Sequence, residues 1–234
     1  MPPFLHLWQA DLAAALPPWA AAEATLSAAE TARQARLRTP ALRQTYGRAH
    51  GFVRAVLSQY LSQPASALRF ENAANEKPAL PGTGLHFNLS YRPGQALLAV
   101  SDAGPVGVDV EPLTPLAGAA ALIQELYAPA EQAALRAAAP ANYWPLFFTI
   151  WTRKEAYAKA LGRGVGMPFS TFSVVAFEPG QSLIFTAPAG AALHHWAVGA
   201  GYQGAVAALS EALPKLEFFT YSNELEKPFS PLSS

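Results

Sequence analysis

The chain has 234 residues, 51% of them hydrophobic and 14% charged, so it can bury one large core or two small ones under a thin charged coat. Sixteen basic and sixteen acidic residues cancel, which argues against general nucleic-acid and membrane-surface binders, since both rely on a basic excess. Cysteine is absent, which excludes disulfides and thiolate-held metals and fits a reducing, cytoplasmic location.

The opening stretch FLHLWQADL reads as a strand. The apolar segment LAAALPPWAAA follows Asp11 rather than Lys or Arg and is broken by Pro17 and Pro18, so it is neither a signal peptide nor a membrane span. No other window reaches about 18 uninterrupted apolar residues. Ser27, with Glu30 three residues on, has the spacing of a helix capping box. Phe52, Val53, Val56, Leu57, Tyr60 and Leu61 recur at three- and four-residue steps and predict a helix over 42–61. ENAANEKPALPGTG is a polar loop, and LHFNLSY and ALLAVS are two strands turning at Pro93-Gly94.

After Gly104-Pro105 the pattern restarts with a strand VGVDV and helices over 117–126, 129–138 and 143–161, the last ended by Gly162 and Gly164. Strands at FSVVAF, SLIFTA, HHWAVGA and GAVAAL follow, and the segment after Pro214 reads as a loose tail. No short-period repeat appears, which argues against solenoids and propellers. The expected class is α+β. Two similar halves in a pseudo-two-fold arrangement each carry a small antiparallel sheet packed by helices. Their expected bounds are 1–104 and 105–214, followed by a tail over 215–234.

The most informative stretch is PVGVDVEPL. Alternation puts Val106, Val108 and Val110 on one strand face and Asp109 and Glu111 together on the other, exposed to solvent or to a cation. In WTRKEAYAKALGRGVG, four-residue steps place Trp151, Glu155 and Lys159 on one helix face. Glu155 and Lys159 alone make an ordinary helical ion pair, worth about 0.2–0.5 kcal/mol. With Asp109 and Glu111, Glu155 makes three acids from two elements, a site for a hard cation such as Mg2+, which takes oxygen ligands and substrate phosphates. Arg33, Arg36, Arg43, Arg48, Arg54 and Lys77 could meet such phosphates or simply be solvated, and Asn88 and Ser90 share a strand face that could donate to them.

The ordered set EKP, HFNLSY, VGVDVE and WTRKEAYAKALGRGVG resembles the 4′-phosphopantetheinyl transferases, of the monomeric type that activates surfactin synthetase and other carrier proteins. The resemblance spans about residues 27–175. It implies that Asp109, Glu111 and Glu155 bind Mg2+ and that Lys159 meets the pyrophosphate of coenzyme A. It places Arg43, Lys77, Pro78 and Ser90 at the adenine nucleotide and its 3′-phosphate, Arg33 at a basic position near it, and Glu131 at a further acid near the metal. Tyr91 stands where the family usually has a histidine that touches a coenzyme A phosphate; its hydroxyl can donate one hydrogen bond but carries no positive charge near pH 7. His194 and His195 lack metal-ligand spacing and read as structural.

The implied reaction moves the phosphopantetheine arm of coenzyme A, the co-substrate, to a serine of an apo carrier protein (acyl, polyketide or peptidyl). Adenosine 3′,5′-bisphosphate leaves. Glu155, directly or through a metal-bound water, is expected to take the serine proton, and the chain is expected to act as a cytoplasmic monomer with no nucleic-acid or membrane partner. The alternatives are a non-catalytic homologue that binds coenzyme A or carrier protein, and a Mg2+-dependent phosphatase or nuclease of unrelated fold.

Overall fold

The computed structural model describes residues 3–15, 19–72, 77–163, 166–178, 180–222 and 228–229. Pro17, Pro18, Glu76 and Gly164, which entered the reading above, lie outside the described residues, as does most of the chain beyond residue 222.

Strand β1 (Phe4–Asp11) is followed by helices α1 (Trp19–Glu23), α2 (Ala28–Ala35) and α3 (Pro40–Leu61). Short strands β2 (Glu71–Asn72) and β3 (Pro78–Ala79) precede the hairpin of β4 (His86–Arg92) and β5 (Gln95–Ser101). Strand β6 (Val106–Pro112) leads to helices α4 (Ala119–Leu126), α5 (Pro129–Ala137) and α6 (Pro140–Leu161). The short strands β7 (Val175–Ala176) and β8 (Ile184–Phe185) come next, then β9 (Ala192–Ala197), β10 (Tyr202–Ala208), β11 (Lys215–Thr220) and β12 (Pro228–Phe229). Helices and small, mostly antiparallel sheets make an α+β fold, the class read from the sequence. The chain divides into two compact units, Met1–Asp102 with Lys215–Ser234, and Ala103–Pro214. No helix among the described residues is long and apolar enough to cross a membrane.

In the first unit the sheet runs β12-β11-β1-β5-β4. Strands β1, β5 and β4 pair antiparallel, while β11 runs parallel to β1 with Leu216 opposite Leu5. The segment read as a loose tail therefore begins as a sheet strand, anchored by Phe219 stacked on Trp8 at 4.6 Å. Its Lys215 and Glu217 pair with each other at 2.6 Å and give it the polar pattern of a tail. Helix α3 starts earlier than its apolar periodicity implies, because Thr39 caps it and Pro40 occupies its first turn. It buries Phe52, Val56 and Leu57 against Leu98, Val100 and Trp8.

In the second unit β6, β10 and β9 form an antiparallel sheet, with Asp109 opposite Ala205 and Glu111 opposite Gln203. Helix α6 is stopped by Gly162 in the left-handed region, at φ 67°. Its apolar side packs Phe147, Phe148 and Ile150 against Tyr127 and Leu135. Strand and helix touch at Gly107, where an added Cβ would lie 2.0 Å from the Ala156 carbonyl oxygen and 2.4 Å from the Ala160 nitrogen. Both obstacles are backbone, so neither can swing aside. Gly107→Ala is expected to cost about 3 kcal/mol or more in urea unfolding. A loss below about 1 kcal/mol would show that the helix and strand separate freely.

Candidate active site

The acid face of β6 is covered by α6, contrary to the exposed face read from the sequence. Gly107 meets Ala156 and Ala160, Asp109 meets Lys159, and Glu111 meets Trp151. The helix thus runs antiparallel to the strand along its Gly107-Asp109-Glu111 side, and the carboxylate residues are buried at 1% and 9% exposure. Alternation is a statement about sides; which side is wet depends on what packs there.

The contacts are specific. Lys159 Nζ lies 2.5 Å from Asp109 Oδ1 and 3.2 Å from the Val108 carbonyl oxygen. Trp151 donates its indole N–H to Glu111 Oε1 at 3.3 Å. Glu155 stands midway between Trp151 and Lys159 on the same helix face, so the helix places it opposite the strand's two acids. The cation beside the buried Asp109 is an ammonium supplied by the chain itself. Lys159 keeps about a quarter of its side chain exposed, so it can also face a ligand.

Among the described residues no three His, Asp or Glu side chains are arranged to hold a metal ion by themselves. The three-acid cation site expected from the sequence is therefore not a closed cage. Its donor chemistry nonetheless fits a hard dication. Asp109, Glu111 and Glu155 offer only carboxylate oxygens, and Mg2+ takes one or two of these, completing its shell with water and substrate phosphates.

Glu131, which the resemblance places near the metal, has structural partners of its own. It is fully buried. Its Oε2 accepts from the Ala128 N–H at 2.8 Å, capping α5, and pairs with Lys154 Nζ at 2.9 Å, while Oε1 accepts from the Val174 N–H at 2.9 Å. Lys154 also donates to the Phe169 and Phe172 carbonyls, each at 2.6 Å. Burial lowers the Lys154 pKa, and the Glu131 charge partly restores it. These groups tie α5, α6 and the segment before β7 together. Nothing in the sequence marks Lys154, which sits between Arg153 and Glu155 in what reads as a polar helix face.

His195 is likewise structural. Its Nδ1 lies 3.1 Å from Arg153, which donates to the Thr186 carbonyl at 2.5 Å and covers the Phe185 ring. Burial, the Arg153 charge and His194 push the His195 pKa down to about 4.

The first unit holds a cleft of about 640 Å³ between α2, α3 and β4, within the usual size range of small-molecule sites. Its frame is the Ser27–Glu30 capping box foreseen from the sequence: the Ser27 N–H donates to Glu30 Oε2 at 2.8 Å and the Glu30 N–H to Ser27 Oγ at 3.3 Å. Arg54, 1% exposed, clamps the same carboxylate through Nε at 2.8 Å and Nη2 at 2.7 Å. Its Nη1 donates to the Ala65 and Leu68 carbonyls. Burial raises the Glu30 pKa, but hydrogen bonds from His50, Arg54 and Ser27 outweigh it and hold the carboxyl at about 2.

Of the candidate binding residues singled out from the sequence, Arg33, Arg54, Pro78, Asn88 and Tyr91 line this cleft. Arg43 does not: it is exposed and its Nε donates to the Leu37 carbonyl at 2.9 Å. Ser90 is buried, and strand alternation sets it on the face of β4 opposite Tyr91. Lys77 lies near His86, whose pKa is lowered by burial and by the Lys77 charge. Arg48 and Arg54 are structural rather than phosphate-facing; Arg48 donates to the Leu12 and Ala14 carbonyls beside the Trp19 ring. Tyr46, His50 and Arg69 are cleft residues absent from the sequence reading. The available signal was helical spacing, since Tyr46, His50, Val53 and Arg54 share one face of α3.

Residues 105–209, which contain the acid face and α6, match the model of the 4′-phosphopantetheinyl transferase superfamily. The chain is 33% identical over 165 residues to the 4′-phosphopantetheinyl transferase HetI of Nostoc sp., covering 69% of this chain and 70% of that protein. It is 28% identical over 130 residues to the 4′-phosphopantetheinyl transferase Sfp of Bacillus subtilis, covering 55% of this chain and 57% of that protein. It is 37% identical over 110 residues to the 4′-phosphopantetheinyl transferase AcpT of Escherichia coli, covering 47% and 55%.

Proposed function

The chain belongs to the 4′-phosphopantetheinyl transferase superfamily, and on that premise we propose that it transfers the arm of coenzyme A to a serine of an apo carrier protein. The serine oxygen forms a bond to the phosphorus bearing pantetheine, the bond from that phosphorus to the bridging oxygen breaks, and adenosine 3′,5′-bisphosphate leaves. The observation that carries this reading is the buried acid face of β6 under the Trp151-Glu155-Lys159 stripe of α6.

Catalysis of such a displacement rests on positioning and charge neutralisation. Lys159 offers an ammonium to the negative charge that grows on the bridging and leaving oxygens. Glu155, on the same helix face, takes the serine proton. Asp109, Glu111 and Glu155 would hold Mg2+, which supplies charge neutralisation on the diphosphate when bound. The Trp151 indole orients Glu111, and the covering helix keeps bulk water from Asp109, which strengthens every charge interaction there.

The adenine nucleotide is assigned to the first unit's cleft, with Arg33, Pro78 and Tyr91 on its wall and Lys77, Ser90 and Arg43 as the further contacts implied by the resemblance. Tyr91 would serve as a neutral donor; burial raises its pKa, so it stays protonated. A cytoplasmic location suits a cysteine-free chain.

The test incubates an apo carrier protein with coenzyme A, Mg2+ and this protein, and follows the carrier by mass spectrometry. The expected result is one phosphopantetheine added per carrier, matched by adenosine 3′,5′-bisphosphate in solution. Binding of coenzyme A and carrier without a mass change would support a non-catalytic homologue instead. Release of phosphate with an unmodified carrier would point to a phosphatase.

A further inference from the structure

The cleft of the first unit contains one imidazole, and its surroundings are unusual for a surface histidine. His50 stacks on Tyr46, with ring centroids 3.9 Å apart and planes 22° from parallel, and meets Tyr91 edge-on at 6.0 Å. Its Nδ1 lies 3.5 Å from Glu30 Oε1. Two aromatic rings and a carboxylate thus set the ring's plane and turn Nδ1 toward Glu30. The proton of the neutral form stays on Nδ1 toward Glu30, and Nε2 is the remaining polar atom. Nε2 makes no hydrogen bond among the described residues, and the residue lines the cleft.

The charges around it favour an anion. Arg33 of α2 and Arg69 of the segment before β2 both line the cleft, whereas the Glu30 carboxylate is already held by Arg54. Tyr46 and Tyr91 remain neutral phenols because burial raises both, Tyr46 to about 12. The groups facing His50 are therefore Glu30 and Arg33 from α2, Tyr46 and Arg54 from α3, Tyr91 from β4, and Arg69. A dianionic phosphate entering between Arg33 and Nε2 would meet the arginines on one side and the imidazole on the other.

We propose that His50 is a phosphate-binding residue of this cleft: it is oriented by Glu30 through Nδ1, presents Nε2 to the phosphate monoester of the bound nucleotide, and takes up a proton as that anion binds. The proposal rests on the assignment of the nucleotide to this cleft. With the proton on Nδ1, neutral Nε2 is only an acceptor and cannot donate to a phosphate oxygen; protonated, it becomes a charged donor. In coenzyme A the 3′-phosphate is a monoester, whereas the 5′-phosphate is tied up in the diphosphate. The residue thus reads the group that distinguishes coenzyme A from its dephospho form.

The experiment is calorimetric titration of adenosine 3′,5′-bisphosphate, and separately of inorganic phosphate, into the full chain in two buffers of different ionisation enthalpy. Wild type is expected to take up a fraction of a proton per nucleotide near pH 6.5, beyond what the nucleotide's own two phosphate monoesters contribute. His50→Gln should abolish that excess and weaken binding about tenfold near pH 6 but less than about twofold near pH 8.5. Uptake with both ligands means that the phosphate is recognised alone; uptake with the nucleotide only means that the base seats it first. Equal uptake in wild type and His50→Gln, or an affinity loss independent of pH, would overturn the proposal. Because His50 also packs on Tyr46, histidine NMR on wild type provides a second readout. The His50 Cε1 resonance should titrate at higher pH with nucleotide bound, and an unmoved titration would overturn the assignment. Arg33→Gln separates the two readings. If neither Arg33→Gln nor His50→Gln changes nucleotide affinity while carrier modification persists, the nucleotide lies elsewhere and the cleft assignment itself fails.

Discussion

Asp109→Asn is expected to reduce carrier modification by at least about a hundredfold, the scale of removing a preorganised electrostatic group from a phosphoryl-transfer site. The substitution keeps size and hydrogen-bonding capacity but removes the charge that holds Lys159 and would help hold Mg2+. It is not the harmless change that relief of repulsion with Glu111 would suggest, because Asp109 is buried and paired with an ammonium. The stability cost should still be moderate, about 1.5–3 kcal/mol for one charged hydrogen bond, since the partly exposed Lys159 can rehydrate. Single-turnover transfer at several Mg2+ concentrations, with a urea melt of the same sample, separates the two effects. Transfer near the wild-type rate in a folded Asp109→Asn protein would remove the acid face from the mechanism.

Glu131→Leu should be the more damaging change to stability, costing about 3–5 kcal/mol, because it leaves the Lys154 ammonium buried without a counter-charge among the described residues, against two carbonyls and the Phe172 ring. Lys154→Met should cost less. The Glu131 carboxylate would keep the Ala128 and Val174 N–H donors and can also take a proton. The two urea melts therefore rank Glu131→Leu below Lys154→Met, with both below wild type. If Glu131→Leu loses less than about 1 kcal/mol while transfer collapses, Glu131 belongs to the chemistry after all, as the resemblance implies.

Local readings succeeded where the determining forces act over a few residues. The Ser27–Glu30 capping box, the β4–β5 hairpin about Pro93-Gly94 and the glycine stop of α6 at Gly162 each depend on neighbours within one turn. Strand β11 was missed because its Lys215 and Glu217 look like a solvated tail, and its partner β1 lies about 200 residues earlier in the chain. The ordered motifs from Lys77 to Lys159 revealed the family, since a set of residue types in fixed order survives where single motifs would not.

By itself the sequence determined the class and the family, because periodicity, caps and motif order are written in consecutive residues. It could not say which partner each charge takes. Glu155-Lys159 spacing is that of a helical ion pair, yet Lys159 lies against Asp109, fifty residues away, because Gly107 lets α6 settle directly on β6. Arg54, open from the sequence to a phosphate or to solvent, and Lys154, which the sequence does not mark, are buried anchors, whereas His50 drew no notice and lines the cleft. Burial and pairing are decided by what packs on each face, and long-range packing brings together groups whose spacing along the chain carries no record of it.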